Sequence, residues 1–221
     1  MNTIRLLGAA QLAVFIFGII GGLLGTKAVG SGSISDILVN ISNNLTLMRI
    51  SNLVALVESL VIVVLGVLFY TVFNEQHKII SLVALGCFLA EAITKAVAKI
   101  GAYALIPLSQ EFVKAGAPES SYFQTLGNFL YYGVDKKGYD IHMLFFVLGG
   151  ILWYYLFYMS GYLPRWLSGW GLVSICLVSI PVLLGNYDRD FLPAAQILFL
   201  TYLPYELVLG VWLIVKGFNL T

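Results

Sequence analysis

The stretch Leu89–Leu105, LAEAITKAVAKIGAYAL, lies inside an apolar run yet carries Glu91, Lys95 and Lys99. On a helix these positions advance by one turn plus 40° each, so the three side chains share a face, and Glu91 precedes Lys95 in the favourable order for a pair. An ammonium group facing hydrocarbon costs a few kcal/mol or more, so that face must turn toward the interior of a helix bundle or a wet cavity.

The rest of the chain supplies the bundle. Of 221 residues 60% are hydrophobic and 10% charged, with a mean hydropathy of +0.92. Soluble domains carry about 25% charged residues, so most of this surface does not face water. Apolar runs near 20 residues can each cross a hydrocarbon core of ~30 Å at 1.5 Å per residue. The sequence therefore predicts an all-α polytopic membrane protein, one domain over 1–221. Its six spans are Leu6–Gly25, Leu53–Phe73, Ile79–Ile106, Ile141–Tyr162, Trp166–Tyr187 and Ala194–Val215. The first is too long for a signal-peptide core and reads as an uncleaved span. A net charge of +1 gives no reason to expect nucleic acid. Cys87 and Cys176 sit in apolar runs and read as small buried hydrophobes.

An even number of spans puts both termini on one side. Short loops there hold Arg5, Lys78, Arg165 and Lys216 against Glu75, whereas six cations on the other side share longer loops with seven acids. The positive-inside rule then favours cytoplasmic termini. Aromatic residues mark the two interfaces, with Tyr154, Tyr155, Tyr158, Tyr162, Trp166, Trp170 and Trp212 toward one and Tyr103, Tyr122, Tyr131, Tyr132, Tyr139 and Tyr187 toward the other.

Two outer segments read as interfacial helices. In 34–48, Ile34, Leu38, Ile41, Leu45 and Met48 alternate spacings of four and three, with Ser33 or Ser35 available as N-cap and Asp36 in the first turn. In 121–132, Phe123, Leu126, Phe129 and Leu130 form the stripe, and Asp135-Lys-Lys-Gly138 is expected to return the chain to water. The first span contains Gly18, Gly21, Gly22 and Gly25 at GxxxG spacing. Such glycines serve internal helix packing or a contact face for a membrane-protein partner.

Two further acids are buried in spans, Glu58 in the second and Glu206 in the sixth. Measured from the outer face at 1.5 Å per residue, Glu58 lies ~8 Å deep, Lys99 ~10 Å, Lys95 ~16 Å, Glu206 ~18 Å and Glu91 ~22 Å. Asp140 and His142 open span four on that side, and Arg49 is placed to balance the third acid. The charges are expected as one neutral cluster between spans two, three and six. Pro204 should kink span six beside Glu206 and free the Leu200 carbonyl, while Pro181 should kink span five structurally. The candidate ligand-binding residues are thus Glu58, Glu91, Lys95, Lys99, Glu206, Asp140 and His142. Two lysines in a cavity suit a small anion, a lipid head group or a proton relay. The rival reading is a clasp of ion pairs that fixes helix register.

His77 and His142 are expected on opposite sides, which disfavours shared haem ligation, and Asp140 with His142 falls short of a zinc site. No HExxH, GxSxG or phosphate loop is present. No catalytic residue, metal or cofactor is expected, and an enzyme is disfavoured. The functional expectation is a ligand- or ion-binding membrane protein acting as sensor, carrier or permeation element. The alternatives are an accessory subunit of a membrane complex, and a lipid-modifying enzyme dependent on Asp140 or His142. Asn40-Ile-Ser and Asn44-Leu-Thr fit the glycosylation pattern.

The segments SGYLPRWLSGWGLV (Ser160–Val173) and PYELVLGVWLIVKG (Pro204–Gly217), with the order of the spans, resemble the bacterial membrane proteins grouped as domain of unknown function 4386. The resemblance covers essentially the whole chain. It implies a six-span bundle in the bacterial cytoplasmic membrane and no particular activity. Glu206 and Trp212 match that family's span-six pattern, and Asp140 and His142 match an Asp and a His that precede its span four.

Overall fold

A computed structural model describes residues 3–118, 122–187 and 196–218. The chain is all-α, and its long apolar helices fit a polytopic bundle. In order they are α1 (Thr3–Val29), α2 (Ile34–Asn43), α3 (Leu45–Lys114), α4 (Tyr122–Asn128), a π-helical segment (Phe129–Lys136), α5 (Lys137–Ser160) and α6 (Arg165–Tyr187). A 3-10 helix (Gln196–Thr201) and α7 (Leu203–Val215) follow. Among the described residues, five helical stretches are long and apolar enough to cross a membrane: Thr3–Val29, Leu45–Lys114, Tyr122–Ser160, Arg165–Tyr187 and Ile197–Val215. Residue 121 of the second expected interfacial helix, and residues 194 and 195 of the last expected span, lie outside the described residues.

Several boundaries differ from the sequence reading. The expected loop between spans two and three shrinks to one residue, His77, whose φ of −153° and ψ of 75° break α3. Side chains on both sides of the break bond to nearby carbonyls. Asn74 Nδ2 donates to the carbonyls of Tyr70 and Thr71, and Ser81 Oγ donates to those of His77 and Lys78. Pro107 does not end the helix, because α3 continues to Lys114. The hydrophilic Asp135–Gly138 stretch is helical and not a return to water. Span six also breaks differently. The chain changes from 3-10 winding to α7 at Tyr202, so Pro204 falls in a helix's first turn, where its missing N–H costs nothing. The carbonyl served at this break is that of Thr201, which accepts from Trp170 Nε1 and Ser174 Oγ, both at 3.1 Å.

The backbone groups into two compact units. Unit 1 comprises Met1–Phe15, Leu60–Ala92 and Asp140–Thr221, and unit 2 comprises Ile16–Ser59 and Ile93–Tyr139. The core of unit 1 is aromatic. Phe69 stacks on Trp153 with centroids 5.0 Å apart, and Phe73 meets Phe157 edge-on at 4.9 Å. Such pairs add ~0.5–1.5 kcal/mol each beyond burial. Small residues let backbones approach: a methyl group on Gly8 would lie 2.8 Å from the Gly210 carbonyl oxygen, and one on Gly171 would lie 2.2 Å from the Tyr205 hydroxyl.

The core of unit 2 is aliphatic, with Ile34, Ile37, Leu38 and Ile41 of α2 packed with Ala102, Leu105 and Phe112 of α3 and Phe123 of α4. The amphipathic stripe of α2 is buried against the protein's own core, and α2 ends at Asn43, so Leu45–Met48 belong to α3. Ser33 caps α2, and Asp36 returns a bond to the Ser33 backbone, a reciprocal capping box. Asn40 and Asn44 are structural: Asn40 Nδ2 donates to the Val29 carbonyl at the end of α1, and Asn44 Nδ2 donates to that of Asn40. Gly30, at φ +66°, supplies the left-handed turn beneath Asn40. Both cysteines are free, and Cys176 is exposed, contrary to its expected burial. Tyr154, expected at an interface, is 4% exposed in the core of unit 1.

Candidate functional site: two kinds of buried carboxylate

The seven expected site residues divide between the units, Glu58, Lys95 and Lys99 in unit 2 and Glu91, Asp140, His142 and Glu206 in unit 1.

In unit 2 the charges form a ladder on the second half of α3. Lys95 Nζ pairs with Glu58 Oε1, and Lys99 Nζ pairs with Asp135 Oδ1 at 2.6 Å. All four side chains are at most 17% exposed. The acid on Lys99 is one the sequence reading assigned to a loop. Packing explains its position. A methyl group on Gly138 would lie 2.5 Å from Ala98 Cβ, and one on Gly101 would lie 2.7 Å from the Leu130 carbonyl oxygen. The π-helical segment and the start of α5 therefore approach α3 closely on either side of residue 99. The wide winding shows in the Lys137 N–H, which reaches back five residues to Tyr132 O, and it buries Tyr131 and Asp135 together. Asp135 needs no water because it has an ammonium.

Glu58 is also covered from α1, where Gly18 leaves room for it: a methyl group there would sit 3.1 Å from Glu58 Oε1. Gly21 faces Val54, and Gly25 faces Ser51, whose hydroxyl donates to the Gly21 carbonyl at 2.8 Å. Three of the four glycines thus serve packing within unit 2, and Gly22 faces open space. Arg49, expected to balance an acid, is exposed.

In unit 1 the carboxylate of Glu206 has neutral donors. Gln11 Nε2 and the Tyr202 hydroxyl each donate to Glu206 Oε1 at 3.1 Å, and Tyr202 shares a 2.7 Å hydrogen bond with the Tyr154 hydroxyl. Gln11 is 2% exposed and Tyr202 3%. Tyr202 precedes Glu206 by one turn at the start of α7, and the Glu206 N–H donates to the Tyr202 carbonyl at 3.1 Å. Glu91 is 5% exposed and lies, like Glu206, within electrostatic reach of the Tyr154 hydroxyl. His142 is 2% exposed near the start of α5, and the Asp140 carbonyl accepts from Asn186 Nδ2 at 3.0 Å. Trp212 packs edge-on against Trp166 at 5.9 Å.

Sequence reasoning missed Gln11, Asp135, Tyr154 and Tyr202 as site members. Gln11, the one amide among the apolar residues of the first span, and Tyr202, one turn before Glu206, were available as signals. For Asp135 the sequence offers none, since π winding leaves no hydrophobic period to read. Among the described residues no group of three or more His, Cys, Asp or Glu is arranged to hold a metal ion.

No curated protein and no solved structure matches the chain. Residues 6–217, nearly the whole chain, match the family model described as Domain of unknown function (DUF4386). The chain, with its long apolar helices and buried carboxylates, belongs to that family.

Proposed function

We propose that this is a non-enzymatic, six-crossing protein of the bacterial cytoplasmic membrane that binds a small or lipid-like anion at the Lys95–Lys99 ladder, as a sensor, carrier or permeation element. The break at His77 divides α3 into two stretches of roughly 48 and 55 Å, each longer than a ~30 Å hydrocarbon core. Counted separately, they bring five apolar stretches to six crossings. The termini then share a side, cytoplasmic by the balance of short-loop cations.

The observation that carries the reading is the pair of ammonium groups one turn apart in an apolar helix, each held by a carboxylate from a different segment. Burying two ion pairs gains little stability over well-packed apolar side chains, whereas intramembrane charges commonly mark ligand paths. An anion with two oxygens, a phosphate or carboxylate, could bridge Lys95 and Lys99 in place of one acid. The same observation favours a second reading, a clasp inside an accessory subunit, because each ammonium already has its carboxylate.

Exchanging the partners, Lys95→Glu with Glu58→Lys, separates the two. Native mass spectrometry of gently solubilised protein, with an anionic phospholipid or inorganic phosphate added, should show an adduct on the wild type. The exchanged variant should keep its thermal stability but lose the adduct. An adduct retained by both the exchange and a Lys95→Gln/Lys99→Gln double variant removes the ladder from binding. A stoichiometric partner protein without adduct supports the clasp.

A further inference from the structure

We propose that Glu206 is a reversible proton-binding site, with Gln11, Tyr202 and Tyr154 arranged to serve both its charged and its neutral form. This inference stands apart from the anion reading and concerns unit 1 alone. It rests on the chemistry of the donors. An ammonium only donates, so an acid facing one, as Glu58 faces Lys95 and Asp135 faces Lys99, is satisfied only as a carboxylate. Glu206 is met by a carboxamide and a phenol, each 3.1 Å from Oε1. Both groups can donate or accept.

With Glu206 ionised, Gln11 Nε2 donates to it, Tyr202 donates to it, and Tyr154 donates to Tyr202 across the 2.7 Å contact. Every proton in the chain then points toward the carboxylate. A proton arriving from the medium on Glu206 makes the carboxyl a donor. Gln11 can turn its amide over and accept with Oε1, while Tyr202 and Tyr154 keep their hydrogen bonds. The exchange needs only a side-chain rotation with the backbone in place, and the proton returns to the medium by the reverse steps. Such exchange suits a buried position, where an unsatisfied polar group costs ~1–3 kcal/mol.

Among the described residues, several elements contribute to these surroundings. Gln11 comes from α1, Tyr154 from α5, and Tyr202 from the break before α7. Tyr205, on α7 itself, packs its ring 5.0 Å from that of Tyr154 and is fully buried. Glu91 of α3 lies within electrostatic reach of Tyr154. From α6, Trp170 and Ser174 bind the Thr201 carbonyl and bring no titratable group.

The test is infrared difference spectroscopy of the full-length protein in lipid nanodiscs, cycled between acidic and alkaline buffer. A buried carboxylic acid C=O band should appear on acidification and vanish on return. It should be lost in Glu206→Gln, shift in frequency in Tyr202→Phe, and be lost in Gln11→Lys, where an ammonium holds the carboxylate. The same reversible band in Glu206→Gln, or no such band in the wild type, overturns the proposal. If Glu206→Gln fails to fold, Tyr202→Phe decides, because it removes only a hydroxyl; an unshifted band there also overturns it.

Discussion

Glu58 and Glu206 are both glutamates in apolar helices, and the company each keeps differs in kind. In unit 2 Glu58 faces Lys95, and one turn along the same helix Lys99 faces Asp135. In unit 1 Glu206 faces Gln11 and Tyr202, with Tyr154 behind. In the first arrangement each charge is matched by its partner, so removing either one strands the other in low dielectric. The second tolerates a change of charge, since the Gln11 amide can either donate or accept. Two buried carboxylates in one chain can therefore have opposite behaviour, set by what they touch.

The comparison can be broken most forcefully at the ladder. Lys95→Met leaves the Glu58 carboxylate without its cation and should cost about 3–5 kcal/mol, while Lys95→Met with Glu58→Met should recover most of the loss. Unfolding of the detergent-solubilised protein would show it, and equal losses in the single and double variants would mean the pair carries no coupling. Gly171→Ala should cost about 1–3 kcal/mol by the same measurement, because the new methyl must displace the fully buried Tyr205 ring. Gln11→Leu removes a donor from Glu206 and should cost about 0.5–1.5 kcal/mol, less than any break in the ladder.

The smallest effect belongs to an acid outside the spans. The Ser33 hydroxyl, and after it the Ser33 backbone N–H, hold the Asp36 carboxyl below its ordinary value. A lowered value in the folded state means this contribution is complete above the ordinary carboxylate range and is lost as pH falls through the folded value. Hydrogen-exchange protection at the start of α2 should weaken on acidification in the wild type and be indifferent to pH in Asp36→Asn.

What the sequence made legible was local or periodic. The apolar runs forced long helices, and the capping of α2 could be read because Ser33 and Asp36 lie three residues apart, within reach along one turn. Glu58 and Lys95 could be named because charge in an apolar run needs a reason. Their pairing is a tertiary fact, as is the pairing of Lys99 with an acid that reads as loop. Asp135–Gly138 has the composition of a water-facing turn, and only close approach at Gly101 and Gly138 makes it part of a buried helix. Tyr154 and Tyr202 were hidden for another reason. Tyrosine in a membrane helix serves interfaces and cores alike, and nothing in the residue type says which.

The most direct test compares two isosteric changes, Glu58→Gln and Glu206→Gln, by equilibrium unfolding in the same detergent at neutral pH. Glu58→Gln should lose about 3–5 kcal/mol, since its amide leaves the Lys95 ammonium without a counter-charge. Glu206→Gln should stay within about 1 kcal/mol of the wild type, since its amide can keep a hydrogen bond with both Gln11 and Tyr202. Equal losses, or a larger loss at Glu206, would contradict the division between fixed and exchangeable charge.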